Sequence, residues 1–193
     1  MKNIIIMGVG RAGKTTLSKM LKERCPQYDV IHADAIKWGI IRAQGKEPEF
    51  RKDISKQMEW EKSTFFQDVL IEMFAHNIKN NHTPLILETG QLYLENLIKH
   101  PKYNVIKECT DILVLGIGMK TSQQRVQVCK EYDIETDWTY GVSDEILSDY
   151  SVDWEAQDFQ RIKECEHYGI LYYDTFGDRM KVLNQICQKY ERS

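Results

Sequence analysis

The sequence predicts an α/β domain: a parallel β-sheet buried on both faces, with helices packed against each side. Three observations predict it. Short, wholly apolar runs recur along the chain and alternate with stretches of helical spacing. The runs are continuous rather than alternating, which is what strands covered on both faces require. The first run leads without a break into Gly8-Val9-Gly10-Arg11-Ala12-Gly13-Lys14-Thr15, a strand-turn-helix signature with a defined chemical purpose.

Taken in order, residues 3–7 form a β-branched run ending at Gly8. Residues 14–24 follow as a helix with Leu17, Met20 and Leu21 on one side. Val30 and Ile31 form a short strand that ends near Asp34. Residues 54–80 hold one or two helices with Phe65, Val69, Met73 and Phe74 as the apolar stripe. Residues 85–87 follow Pro84 and end at Glu88. Residues 111–117 form a longer run, and residues 121–131 and 154–167 two more helices. Residues 170–173 end at Asp174, and residues 178–191 close the chain with Met180, Val182, Leu183, Ile186 and Cys187 as their apolar side.

A chain of 193 residues suits a single domain over 1–193. Two segments exceed a minimal sheet-and-helix layout: an insertion at about 35–62, and a segment at about 132–153 placed to act as a lid. Both follow strands, at the end of the sheet where α/β proteins build their ligand crevice.

The formal net charge of −3 argues against a protein built to coat nucleic acid. Five dispersed cysteines, with no Cys-x-x-Cys, read as reduced thiols and point to the cytoplasm. The apolar run at the N-terminus is too short for a signal peptide, and no stretch approaches the roughly 20 apolar residues of a membrane span. The five histidines show no metal-ligand spacing.

The turn from Gly8 to Thr15 matches G-x-x-x-x-G-K-[ST]. Its glycines let successive backbone N–H groups converge on one anion. The helix that follows presents its positive end to the same anion. In this motif Lys14 reaches the β- and γ-phosphates of a nucleoside triphosphate and the Thr15 hydroxyl ligates Mg²⁺.

Three acids end strands. Asp34 sits where the ligand crevice opens, and either takes a proton from an attacking hydroxyl or caps a helix. The two roles are compatible. Glu88 occupies the place of an acid that supports Mg²⁺ directly or through water, or is a capping acid at a strand end. Asp174 belongs to a loop read either as a wall beside the nucleotide base or as a plain turn before a helix capped by Asp178.

These residues resemble the P-loop kinases of small molecules: the nucleoside and nucleotide kinases, the shikimate and gluconate kinases, and the polynucleotide 5′-hydroxyl kinases. The resemblance implies a three-layer fold around a five-stranded parallel sheet of order 2-3-1-4-5. It implies ATP and Mg²⁺, with transfer of the γ-phosphoryl to a hydroxyl or phosphate of a small-molecule acceptor. Carried onto this sequence, Asp34 becomes base or substrate anchor, with Lys37 as the basic residue three positions on. Arg125 and Lys130 stand where the family has lid arginines, and Thr175 lies in the loop beside adenine. Gly8, Gly10, Arg11, Ala12, Gly13, Lys14, Thr15, Thr16 and Thr175 are then the nucleotide contacts. The chain departs from shikimate-type kinases at His32, where an acid would stand, and in lacking their glycine triplet after the third strand. Residues 131–160 carry ten acids and no Lys or Arg, so the lid tip supplies no cation. Arg125, Lys130 and Arg161 from flanking helices, or Arg11, would have to do so.

On the acceptor side, Arg42 lies eight residues beyond Asp34 and either anchors an anionic group or is a solvated arginine. Trp38 either stacks on an aromatic acceptor or packs in the core. The interleaved acids and aromatics of residues 131–160, Trp138, Tyr150 and Trp154 among them, either favour a cationic or amine-bearing acceptor or form a solvated surface over aromatic packing. Three functions fit: an ATP-dependent phosphotransferase, a nucleotide-binding regulatory ATPase, and a polynucleotide 5′-hydroxyl kinase. Residues 1–62, with 13 Lys or Arg against 8 acids, keep the last open.

Overall fold

A computed structural model describes residues 1–80 and 83–191, without the side chain of Ile54; His82 lies outside the described residues. Five parallel strands form one sheet: β1 (Asn3–Gly8), β2 (Asp29–His32), β3 (Leu85–Thr89), β4 (Thr110–Gly116) and β5 (Tyr172–Asp174). Their order is β2-β3-β1-β4-β5. β1 is central, with Ile4 paired to Ile86 of β3 on one side and to Asp111 of β4 on the other.

Around the sheet lie α1 (Lys14–Arg24), α2 (Ala33–Ala43), α3 (Glu47–Lys52), α4 (Ile54–Glu61), α5 (Thr64–Asn80), α6 (Leu94–Lys99), α7 (Tyr103–Cys109), α8 (Ser122–Tyr132), α9 (Asp144–Tyr168) and α10 (Arg179–Tyr190). The period of two along β1 separates two cores. Ile4 and Ile6 face a core built with Leu17 and Leu21 of α1 and Leu183 and Ile186 of α10. Ile5 and Met7 face the opposite core, built with Leu70 and Phe74 of α5 and Leu97 of α6. Each of these side chains is almost wholly buried, which stabilises the fold by about 1.5–3 kcal/mol apiece relative to exposure.

Three details depart from the sequence expectation. The buried stripe of α5 is Phe66, Leu70 and Phe74, while Phe65 is exposed. The stripe is displaced because Phe66, not Phe65, lies four residues before Leu70 and eight before Phe74, in line over successive turns. The helix expected at 154–167 starts ten residues earlier, at Asp144, where the Ser143 hydroxyl accepts the Ile146 N–H; it ends at Gly169 in a left-handed cap. Met180 of α10 is exposed rather than part of the apolar side. Among the described residues no helix is long and apolar enough to cross a membrane.

The sheet carries the site because all strands run the same way. The C-terminal ends of β1, β2 and β3 open into one cleft. The helices α2 and α4 wall one side, and the 133–143 connection with the first turns of α9 walls the other.

Candidate active site

The cleft has a volume of about 770 Å³. Its floor is the turn between β1 and α1. Gly8 leaves β1 at a φ of 154° with the Leu115 carbonyl so near that a Cβ would lie 2.1 Å from its oxygen. Gly10 is bare for a different reason: a Cβ there would meet the Trp154 indole at 2.4 Å. Between them and α1, Arg11 holds a φ of 62°, a conformation non-glycine residues adopt only when their surroundings enforce it. The helix α1 begins at Gly13 with no side-chain cap, so its first amides are left for an anion.

Lys14 and Thr15 open α1 and line the cleft. The Lys14 ammonium donates to the Val9 carbonyl at 2.8 Å, the span of the motif closed on itself. Burial lowers its pKa, with Glu88 and Asp34 opposing and Arg161 and Arg11 adding to the depression. Arg11 turns its guanidinium to the 133–143 connection, pairing with Asp133 at 2.5 Å and Asp137 at 3.0 Å. Arg179 donates to the Arg11 carbonyl at 2.6 Å and lies over the Tyr132 ring at 3.7 Å.

Asp34 stands in the first turn of α2, with its side chain 66% exposed to the cleft. Partial desolvation works against its ionisation. The Lys37 ammonium at 2.9 Å, helped by Lys14 and the Gln91 amide, outweighs it and holds the carboxyl below the usual range. Lys37 is buried and also pairs with Glu61 at 3.2 Å. The Gln91 amide donates to Asp34 at 3.1 Å and to Glu61 at 3.4 Å. Glu88, at the end of β3, is buried and hydrogen-bonded to His32 Nδ1 at 2.9 Å. That bond raises the His32 pKa against the effect of burial.

Gly8, Gly10, Arg11, Gly13, Lys14, Thr15, Thr16, Asp34, Lys37, Trp38 and Glu88 thus line one cleft. Four expected site residues do not. Arg125 is fully buried, donating to Asp158 at 3.1 Å and to the carbonyls of Gly118 at 2.7 Å and Lys120 at 3.0 Å. It ties α8 and α9 to the end of β4. Thr175 is buried behind the turn, its hydroxyl bonded to the Ala12 and Gly116 carbonyls at 3.1 and 2.9 Å, so it braces the loop from below. Ala12 is buried and its methyl group does not reach the cleft. Arg42 points to the surface, paired with Glu47 and lying over Trp38.

Half of the ten acids in residues 131–160 pair with cations: Asp133 and Asp137 with Arg11, Asp144 with Lys130, Asp153 with Lys62, and Asp158 with Arg125. Arg161 is buried too, donating to the Gly90 and Leu92 carbonyls and so shaping the turn after β3. Sequence reasoning missed Glu61 and Gln91 as cleft residues. Gln91 had a signal, since it follows β3 by two residues; Glu61 had none, because its helix crosses from a distant part of the chain.

Thr15 and Glu88 offer oxygen ligands of the kind Mg²⁺ takes. Among the described residues no group of three or more His, Cys, Asp or Glu forms a dedicated metal cage. Mg²⁺ is ordinarily held by one or two protein oxygens together with substrate phosphates and water, so the residues fit it.

No protein-family model matches the chain, and no curated protein sequence matches it. Solved structures do. Deoxyadenosine kinase from M. mycoides with bound dATP superposes with a TM-score of 0.54 at 17% identity, covering 98% of this chain and 99% of that one. Shikimate kinase from Acinetobacter baumannii in complex with shikimate gives 0.53 at 16%, covering 98% and 93%. Shikimate kinase from Bacteroides thetaiotaomicron gives 0.52 at 14%, covering 99% and 97%. The chain therefore has the fold of the P-loop small-molecule kinases, over essentially its whole length.

Proposed function

We propose that this chain is an ATP-dependent phosphotransferase that moves the γ-phosphoryl of Mg·ATP to a hydroxyl of a small-molecule acceptor. One observation carries the proposal: the Lys14 ammonium and the Asp34 carboxylate face the same cleft, near enough that each shifts the other's pKa. A cation for the moving phosphoryl and a base for the incoming hydroxyl are the two groups such a transfer needs.

The triphosphate lies on the Gly8–Thr15 turn, held by its amides, with Lys14 at the β- and γ-phosphates and Thr16 and Lys19 beside them. Lys14 must leave the Val9 carbonyl to do so, exchanging one acceptor for a charged one. Thr15 and Glu88 would hold Mg²⁺, which would supply neutralisation of the phosphate charge. The acceptor oxygen forms a bond to the γ-phosphorus as the bond to the bridging oxygen breaks. ADP leaves with that electron pair, and the hydroxyl proton passes to Asp34. A low pKa makes Asp34 an orienting group and a late proton acceptor rather than a strong base. The lid at 133–143 and the start of α9 exclude water that would otherwise hydrolyse ATP. The five free thiols suit the cytoplasm, where we place the reaction.

Calorimetry with Mg·ATP and a turnover assay on Asp34→Asn test the reading together. ATP binding with lost transfer supports it; undiminished transfer removes Asp34 from its role, and no heat on mixing removes the nucleotide. A second reading, a regulatory ATPase, is favoured by one feature: Arg125 is sealed away and the lid contributes no cation to the cleft. Slow hydrolysis that no acceptor stimulates would select it.

A further inference from the structure

The cleft divides into two halves by charge. At the phosphate half, Lys14, Lys19 and Arg179 carry no carboxylate partner among the described residues and are matched to a triphosphate. At the acceptor half, both cations are neutralised in place. Lys37 lies between Asp34 and Glu61 at 2.9 and 3.2 Å, and Lys62 is paired with Asp153 at 2.6 Å. Three carboxylates there face two ammonium groups. Arg11, at the boundary, is taken by Asp133 and Asp137.

The amides of this half point the same way. Gln57 donates to Glu61 at 2.6 Å, Gln91 to Asp34 and Glu61, and Gln157 to Asp153. Each NH₂ group places an N–H on a carboxylate, and Gln91 places both of its own there. What the acids still offer to a ligand is their remaining carboxylate lone pairs, while the Gln91 carbonyl already accepts from Gly90 N–H and the Thr89 hydroxyl. An alcohol bearing a carboxylate or phosphate would bring negative charge to a surface of three carboxylates whose two ammonium groups are already paired among the described residues. Such a juxtaposition is strongly discriminating inside a cleft. A molecule rich in hydroxyl and ammonium donors would satisfy these oxygens. The wall beside them is aromatic. Trp138, 58% exposed, stands edge-on to Tyr150 at 4.9 Å and Trp154 at 6.2 Å, and aromatic faces attract an ammonium.

We propose that the acceptor is an amine-bearing polyol, bound as its ammonium ion by Glu61 and Asp153 and phosphorylated on a hydroxyl held at Asp34, and that the cleft rejects carboxylate- and phosphate-bearing alcohols. This rests on the phosphotransferase reading and narrows it. The amine stays protonated and is an anchor only. The hydroxyl oxygen takes the γ-phosphoryl, its proton leaves by Asp34, and ADP departs with the electrons of the broken bond.

The test uses the full chain, Mg·[γ-³²P]ATP and three sets of probes at equal concentration. These are the amines glucosamine, 2-deoxystreptamine and kanamycin; the neutral polyols glucose and myo-inositol; and the anions gluconate, shikimate and glucose 6-phosphate. Labelled product is separated chromatographically and identified by mass. The expected result is product from an amine, with kcat/KM at least about tenfold above that of any anion. Product from an anion at an equal or greater rate overturns the proposal, as does no product from any amine while Mg·ATP binds. Absence of Mg·ATP binding heat is the distinct failure of the phosphotransferase reading itself. The double variant Glu61→Gln, Asp153→Asn adds a readout that a structural role would not move. It should raise KM for the amine about tenfold or more and shift the amine-to-anion ratio toward the anions. An unchanged ratio, whatever the change in kcat, overturns the assignment of these two carboxylates.

Discussion

Replacing Arg125 by Met separates a structural cation from a catalytic one. The guanidinium is fully buried and makes three hydrogen bonds, to Asp158 at 3.1 Å, the Gly118 carbonyl at 2.7 Å and the Lys120 carbonyl at 3.0 Å. Methionine fills much of the volume but leaves two carbonyls short of a donor and the Asp158 carboxylate without its counter-charge. Asp158 is itself fully buried and keeps only the Ile117 N–H at 2.8 Å and the Tyr172 hydroxyl at 2.7 Å. Removing one partner of such a pair costs about 3–5 kcal/mol. That is a large part of the roughly 5–15 kcal/mol that holds a domain folded. For a domain of this size each kcal/mol moves Tm by about 2–4 °C, so the expected fall is roughly 6–20 °C. The assay is thermal unfolding followed by circular dichroism, paired with Mg·ATP affinity and turnover measured well below the new Tm. Near-normal affinity with a large fall in Tm is the expected result. A shift under about 2 °C together with a hundredfold loss of turnover would refute the reasoning, because it would return Arg125 to the phosphate.

Further outcomes follow from the same geometry. Lys14→Ala should lower turnover by about a hundredfold or more, measured as labelled product, while Tm stays within about 2 °C of the parent. Asp34→Asn should reduce transfer by about 10²–10⁴-fold and leave the heat of Mg·ATP binding in place. Gly10→Ala should drive the Trp154 indole off the turn, because the new methyl would sit 2.4 Å from it, and a changed tryptophan emission spectrum with weakened ATP binding reports it. The His32–Glu88 bond has a pH sign: a raised folded pKa makes its contribution to stability full below the unfolded value of about 6.5 and lost as pH rises through the folded value. The Tm difference between the parent and His32→Gln should therefore be largest at acid pH and close toward alkaline pH; a difference that grows with pH would contradict the assignment.

The chain written out in order was enough to determine the parallel sheet, the phosphate turn and the acids at the ends of β2 and β3. These are contiguous features: an apolar run, a glycine turn and a helix start follow one another, and each strand ends within two residues of where its apolar run stops. The order β2-β3-β1-β4-β5, which the resemblance implied, is the order observed. Helix limits were less legible. The start of α9 at Asp144 is hidden because its first turns are acidic and largely exposed, with Leu147 the first to bury a large apolar side chain. What only the tertiary structure decided was the use made of each polar side chain. Arg125 meets Asp158 across 33 residues, Thr175 reaches Ala12 across 163, and Trp154 crosses from α9 to cover Gly10. A charged or hydroxyl side chain has no periodicity to betray its partner. Whether it faces a phosphate, a carbonyl or water depends on which distant segment the packed core sets beside it, and that is fixed only when the two cores close on the sheet.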